Sequence, residues 1–208
     1  MNTRSRSAAS DIAYLREMAE AGAAAPLLGG RFMILWGGLT GTVLIVHWLV
    51  ITGVLALGAS ALWPLWLGYI VTGSLGSAIL GRTIRNKPGA GSMGNRVQSV
   101  MWPVLGGGIL FYYAGLTVGM LAGIVDAVFI NTMLPVALLV YGTGWTIDAL
   151  LSRQKTLLVP AFITLIACLA CAVLVMTHWV YLVAAGAMLL GTFVPGFFLM
   201  AREPRELV

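Results

Sequence analysis

Charge is scarce in this chain. Of its 208 residues only 12 are Lys or Arg and 7 are Asp or Glu, so 9% are charged. A soluble domain carries about one quarter, and a surface cannot be covered with so few polar groups. A water-soluble reading is excluded. Cysteine is scarcer still, with Cys168 and Cys171 as one Cys-x-x-Cys pair. Both lie deep in an apolar helix beside Ala and Leu, not at a helix start, where the dipole would activate a thiol. They read as small packing residues and say nothing about compartment. There is no phosphate-cradling Gly-Lys-Thr loop, no His-Glu-x-x-His and no nucleophile elbow. With only two histidines, a zinc site of three or four ligands at set spacing is not supported. No catalytic, cofactor or metal residues are expected.

What is abundant is apolar sequence, at 60% of the chain. Several windows exceed the roughly 18 nearly uncharged residues that mark a transmembrane helix. Six spans are expected over about 32–54, 62–81, 98–121, 127–150, 156–176 and 179–200. The expected fold is an all-α integral membrane protein, a six-transmembrane-helix bundle over 32–201. Short connections imply three helical hairpins: first with second, third with fourth, fifth with sixth. The apolar run from Phe32 is too long for a secretory signal and is taken as the first permanent span.

The cations set the orientation. The loop Arg82–Arg96 carries Arg82, Arg85, Lys87 and Arg96; the rest fall at the termini or at Arg153 and Lys155. The alternate loops, near 54–62, 122–127 and 177–179, contain none. This is the positive-inside pattern, which places the N-terminal segment 1–31 and the tail 202–208 in the cytoplasm. It also disposes of nucleic acid as a partner for the net charge of +5. Compactness and short loops point to a bacterial inner membrane. Within the N-terminal segment, Ser10 and Asp11 look like a helix start, and Ile12, Leu15, Ala19 and Ala23 recur at helical spacing. A short amphipathic cytoplasmic helix over 11–24 is expected, lying on the leaflet or docking a partner.

Small residues stand four apart in several spans: Gly37 and Gly41; Gly68, Thr72 and Gly76; Gly73, Ser77 and Gly81; Gly115, Gly119 and Gly123. Such stripes let helix backbones approach closely, within one bundle or between subunits. Beyond the lipid bilayer, the implied partner is another membrane protein or a second copy. Pro135 and Pro195 should kink the fourth and sixth spans, whereas Pro103 and Pro160 fall in first turns. The even spans also align faintly: Pro64 to Arg82 and Pro135 to Arg153 have equal separation, with Thr72 and Thr143 at matching places.

Candidate functional polar residues are few. Asp148 is the one acid well inside an apolar segment, and burying it costs at least about 2.5 kcal/mol. It shares a stripe with Tyr141, Gly144 and Trp145, which could line a polar crevice, and a loop Arg could pair with it. His47, His178 and Asp126 lie towards the opposite end and could form a metal or proton site there. The expected function is a non-catalytic multi-pass membrane protein, working as accessory subunit, scaffold or sensor through helix packing. The alternative is a small-solute channel or transporter with Asp148 in a cytoplasmic-side polar crevice.

Overall fold

The fold was obtained as a computed structural model, in which residues 12–14 and 26–203 are described. Every element among them is helical. The spans are α1 (Gly30–Ile51), α2 (Leu62–Ile84), α3 (Met93–Leu121), α4 (Met133–Ser152) and α5 (Leu158–Val173), followed by a sixth, interrupted one. The sixth comprises α6 (Trp179–Met188), a π-helical turn (Leu189–Phe193) and α7 (Val194–Ala201). All six are long and apolar enough to cross a bilayer. The protein is a multi-pass membrane protein. Residues 12–14 are helical and exposed; the remainder of the helix expected over 11–24 lies outside the described residues.

Local sequence explains the ends. Ser92, in extended conformation, accepts a hydrogen bond from the backbone N–H of Asn95 and starts α3 below the apolar run. At the other end Gly123 adopts φ +69° and donates to Met120 O, while Ile124 donates to Gly119 O. That pair of bonds is a Schellman cap, which needs a left-handed residue after the helix. Because α3 starts at Met93, Pro103 lies in its interior and not in a first turn. Pro135 shows the opposite correction. A 3₁₀ turn over Ala127–Thr132 precedes α4, so Pro135 falls in the first turn, where its missing donor is tolerated. At Pro195 the helix is perturbed as expected. Its ring would press on the carbonyl four residues back, and the chain widens into the π turn immediately before it.

The core consists of α1, α4, α5 and the sixth span. One apolar cluster joins Leu44, Leu138, Cys171, Val180, Ala184 and Met188; a second, nearer the basic loops, joins Leu27, Met33, Trp145, Leu157, Ala161 and Leu199. The first span touches the second, the third the fourth and the fifth the sixth, but the most extensive packing joins α4 to α5 and α1 to the sixth span, so the three expected hairpins do not stand out as units. Glycine decides the second of these contacts. A Cβ on Gly30 would lie 2.7 Å from Gly196 O, and one on Gly37 would lie 2.5 Å from Phe193 N. The two backbones touch because nothing stands between them.

The helices α2 and α3 are peripheral. The first packs on α1, where Trp36 lies across Gly73 and donates its indole N–H to Ser77. The second packs on α4. Between α2 and α3 there is at most marginal contact.

Candidate functional site

At the end of the bundle that bears Arg31, Lys87, Arg153 and Arg202, two buried polar side chains close the structure. Asn95 accepts from Leu28 N at 2.8 Å and donates to Pro26 O and Gly89 O, each at 2.9 Å. It thereby ties the segment before α1 to the loop between α2 and α3. Glu203 is almost wholly buried, and its Oε2 accepts from Arg31 Nε at 3.2 Å and from Lys87. Among the loop cations expected to set the topology, Lys87 is in an ion pair, while Arg82, Arg85 and Arg96 are exposed. Neither Asn95 nor Glu203 stood out in the sequence, because each sits next to loop residues that a solvated reading covers equally well.

Further into the span lies Asp148, 3% exposed. Its Oδ2 accepts from Gln98 Nε2 at 2.7 Å and from Trp102 Nε1 at 3.1 Å. Gln98 and Trp102 are four apart and therefore present both donors from one face of α3. Asp148 makes no ion pair among the described residues; Arg153 ends α4 in the left-handed conformation (φ 56°) with its side chain exposed. The stripe of Tyr141, Gly144, Trp145 and Asp148 does face one way, but Trp102 fills the space before it. Its ring stands 5.4 Å from Tyr141 and 5.7 Å from Trp145, and a Cβ on Gly144 would meet it at 2.9 Å. The carboxylate is a fastening between α3 and α4. Gln98 was not singled out in the sequence; an amide at the start of an apolar run is the signal that marks it.

At the opposite end the predicted residues separate. His178 and Asp126 are exposed, at the starts of α6 and of the 3₁₀ turn, while His47 is 8% exposed. No group of three His, Cys, Asp or Glu side chains that could hold a metal occurs among the described residues. His47 belongs instead to an aromatic assembly that the sequence did not reveal. Its ring stacks on Tyr181 with centroids 4.1 Å apart, and its Nδ1 accepts from Trp66 Nε1 at 3.0 Å. Tyr181 in turn donates to Asn131 Oδ1 at 2.6 Å. Tyr69 meets both Trp66 and Trp36 edge-on at 5.4 Å and shares a hydrogen bond with Thr40. Beside His47 opens a crevice of about 190 Å³, walled by Trp63 and Trp66 at the start of α2, Tyr113 of α3, Met133 of α4 and Tyr181.

Both cysteines are free; Cys171 is sealed in the core, with its thiol 3.7 Å from Val180 O. Compared with family models, curated proteins and solved structures, the chain matches none.

Proposed function

We propose that this protein is a non-catalytic multi-pass component of a bacterial inner membrane, with both termini cytoplasmic, acting as an accessory subunit, scaffold or sensor through helix packing. The placement of α3 carries this reading. Of the six spans it is the least embedded; its first turns are tied to the segment before α1 through Asn95, and beyond them the span it packs on is α4. On its free side Val104, Gly108, Phe111, Gly115 and Val118 are all exposed. They follow at spacings of three and four, a stripe suited to a neighbouring helix. A Cβ on Gly108 or Gly115 would meet nothing within 4 Å, so packing within this chain does not require glycine there. The segment 1–31, where the sequence predicts an amphipathic helix over 11–24, would supply a second contact.

The competing reading, a small-solute channel or transporter, needs Asp148 open to a polar crevice. Burial of that carboxylate and its two neutral donors on α3 count against it. The test is gentle extraction of the tagged chain and native mass determination, repeated with Gly108→Leu and Gly115→Leu. The expected result is a stoichiometric second membrane protein, or a second copy, that both variants release while the chain itself stays folded. A lone monomer whose liposome flux is abolished by Asp148→Asn would reverse the assignment. Orientation is tested by a cysteine at position 90: labelling by an impermeant reagent from outside intact cells would overturn it.

A further inference from the structure

The crevice beside His47 has the properties of a ligand site, and none of them depends on the helix-packing reading above. Because His47 Nδ1 accepts the Trp66 indole N–H, the imidazole is neutral and its own proton resides on Nε2. That N–H finds no hydrogen-bond partner among the described residues. It is not among the sealed unpaired atoms, such as Trp145 Nε1 and Thr192 Oγ1, and His47 lines the crevice. A donor on a residue only 8% exposed thus stands, without a partner among the described residues, beside a cavity. Tyr113, on the α3 wall, brings a phenol hydroxyl that also lacks a partner among the described residues. By contrast, the Trp66 N–H is spent on His47 and the Tyr181 hydroxyl on Asn131.

The remaining lining is apolar or aromatic, with no Asp, Glu, Lys or Arg. A cavity of about 150 Å³ accommodates benzene, so about 190 Å³ takes one substituted six-membered ring. Aromatic walls favour a flat ring, by stacking or edge contact. A donor at the floor, without a carboxylate nearby, favours an oxygen acceptor over a cation. Access is supplied by the fold. The crevice lies between the start of α2 and the later turns of α3, which barely touch, so a molecule dissolved in the bilayer can enter from the side.

We propose that this crevice binds the headgroup of a lipid-soluble 1,4-quinone, with one carbonyl oxygen accepting from His47 Nε2–H and the ring held among Trp63, Trp66 and Tyr113. The isoprenoid or alkyl tail would leave through the gap between α2 and α3. Binding alone is assigned to the site.

The experiment uses the full chain in lipid nanodiscs, titrated with a decyl-substituted dimethoxy-methyl-1,4-benzoquinone and followed by thermal shift. Saturable stabilisation is expected. A decyl-substituted p-xylene, which has the ring without the oxygens, should bind roughly fivefold to tenfold more weakly, the worth of one hydrogen bond. His47→Phe should weaken the quinone by a similar factor. Because that variant also strands the Trp66 N–H, Ala59→Phe provides an independent test. Ala59 is an exposed lining residue on the turn before α2, and bulk there should block the crevice, abolishing saturable binding with the fold intact. Non-saturable uptake, or saturable binding unchanged by both variants, overturns the proposal. So does tighter binding of dodecylphosphocholine that Ala59→Phe abolishes, which would make the crevice an aromatic box for a quaternary ammonium.

Discussion

Replacing Gly37 by Ala should separate the two most intimately packed helices of the bundle. The added Cβ would stand 2.5 Å from Phe193 N and 2.8 Å from Phe193 Cα, and these are backbone atoms of the π turn that cannot rotate away. Reaching ordinary contact beyond 3.4 Å requires α1 and the sixth span to part by about 1 Å at that level. Overpacking of this kind costs roughly 1–3 kcal/mol, and Ala returns up to about 1 kcal/mol through its better helix propensity. The net expectation is a loss of about 1–2 kcal/mol, a factor of roughly 5 to 30 in the folding equilibrium. Gly68→Ala is the matched control, because its Cβ would meet nothing within 4 Å; it should be neutral or stabilising by up to about 1 kcal/mol. Unfolding in mixed micelles, titrated with a denaturing detergent and read by tryptophan fluorescence, compares the two. A Gly37→Ala variant as stable as Gly68→Ala would refute the claim that backbone contact holds these helices. Gly30 and Gly196 supply a further check. Each would collide with the other's helix, so the double alanine variant should cost less than the sum of the single ones.

Three other outcomes follow from the polar fastenings. Asp148→Ala should cost about 2–4 kcal/mol in the same assay, since it strands the buried amide N–H of Gln98 and the half-buried indole N–H of Trp102; Asp148→Asn, which keeps an acceptor, should cost clearly less. Asn95→Ala should cost roughly 1–3 kcal/mol and free the segment before α1, so that a cysteine at position 28, buried in the wild type, becomes reactive to a soluble maleimide. Glu203→Gln should loosen the hold on Arg31 and Lys87. The loss should exceed the roughly 1 kcal/mol of an exposed pair and change little as salt is raised, because the carboxylate is almost wholly buried. A Glu203→Gln variant as stable as the wild type would contradict the ion-pair account.

Much of the fold could be read from uncharged length. The span from Phe32 and the five after it declare themselves because a bilayer demands about 20 apolar residues and this chain has few others to offer. The stripe through Tyr141, Gly144, Trp145 and Asp148 was legible too, since helical spacing puts them on one side. The partners were not. The Trp102 ring that fills the stripe and the Gln98 amide that binds the acid come from a helix whose rotation no local pattern specifies. His47 was noticed as a rare residue, but it was grouped with His178 and Asp126, which the structure leaves exposed at separate turns. Its actual neighbours, Trp66 and Tyr181, belong to other spans, and no local pattern links them to it.

Hydrophobic length and scarcity of charge determined, from the sequence alone, that this chain is six helices in a membrane, because the cost of an unsatisfied or charged group in lipid leaves little choice. Which helices touch was decided by tertiary structure. Lipid is as apolar as the spans themselves, so no hydrophobic pattern tells one face from another. The choice falls to close packing, where Gly30, Gly37 and Gly196 admit a neighbouring backbone, and to single polar pairs such as Asp148 with Gln98. The crevice beside His47 exists because those choices leave α2 and α3 apart.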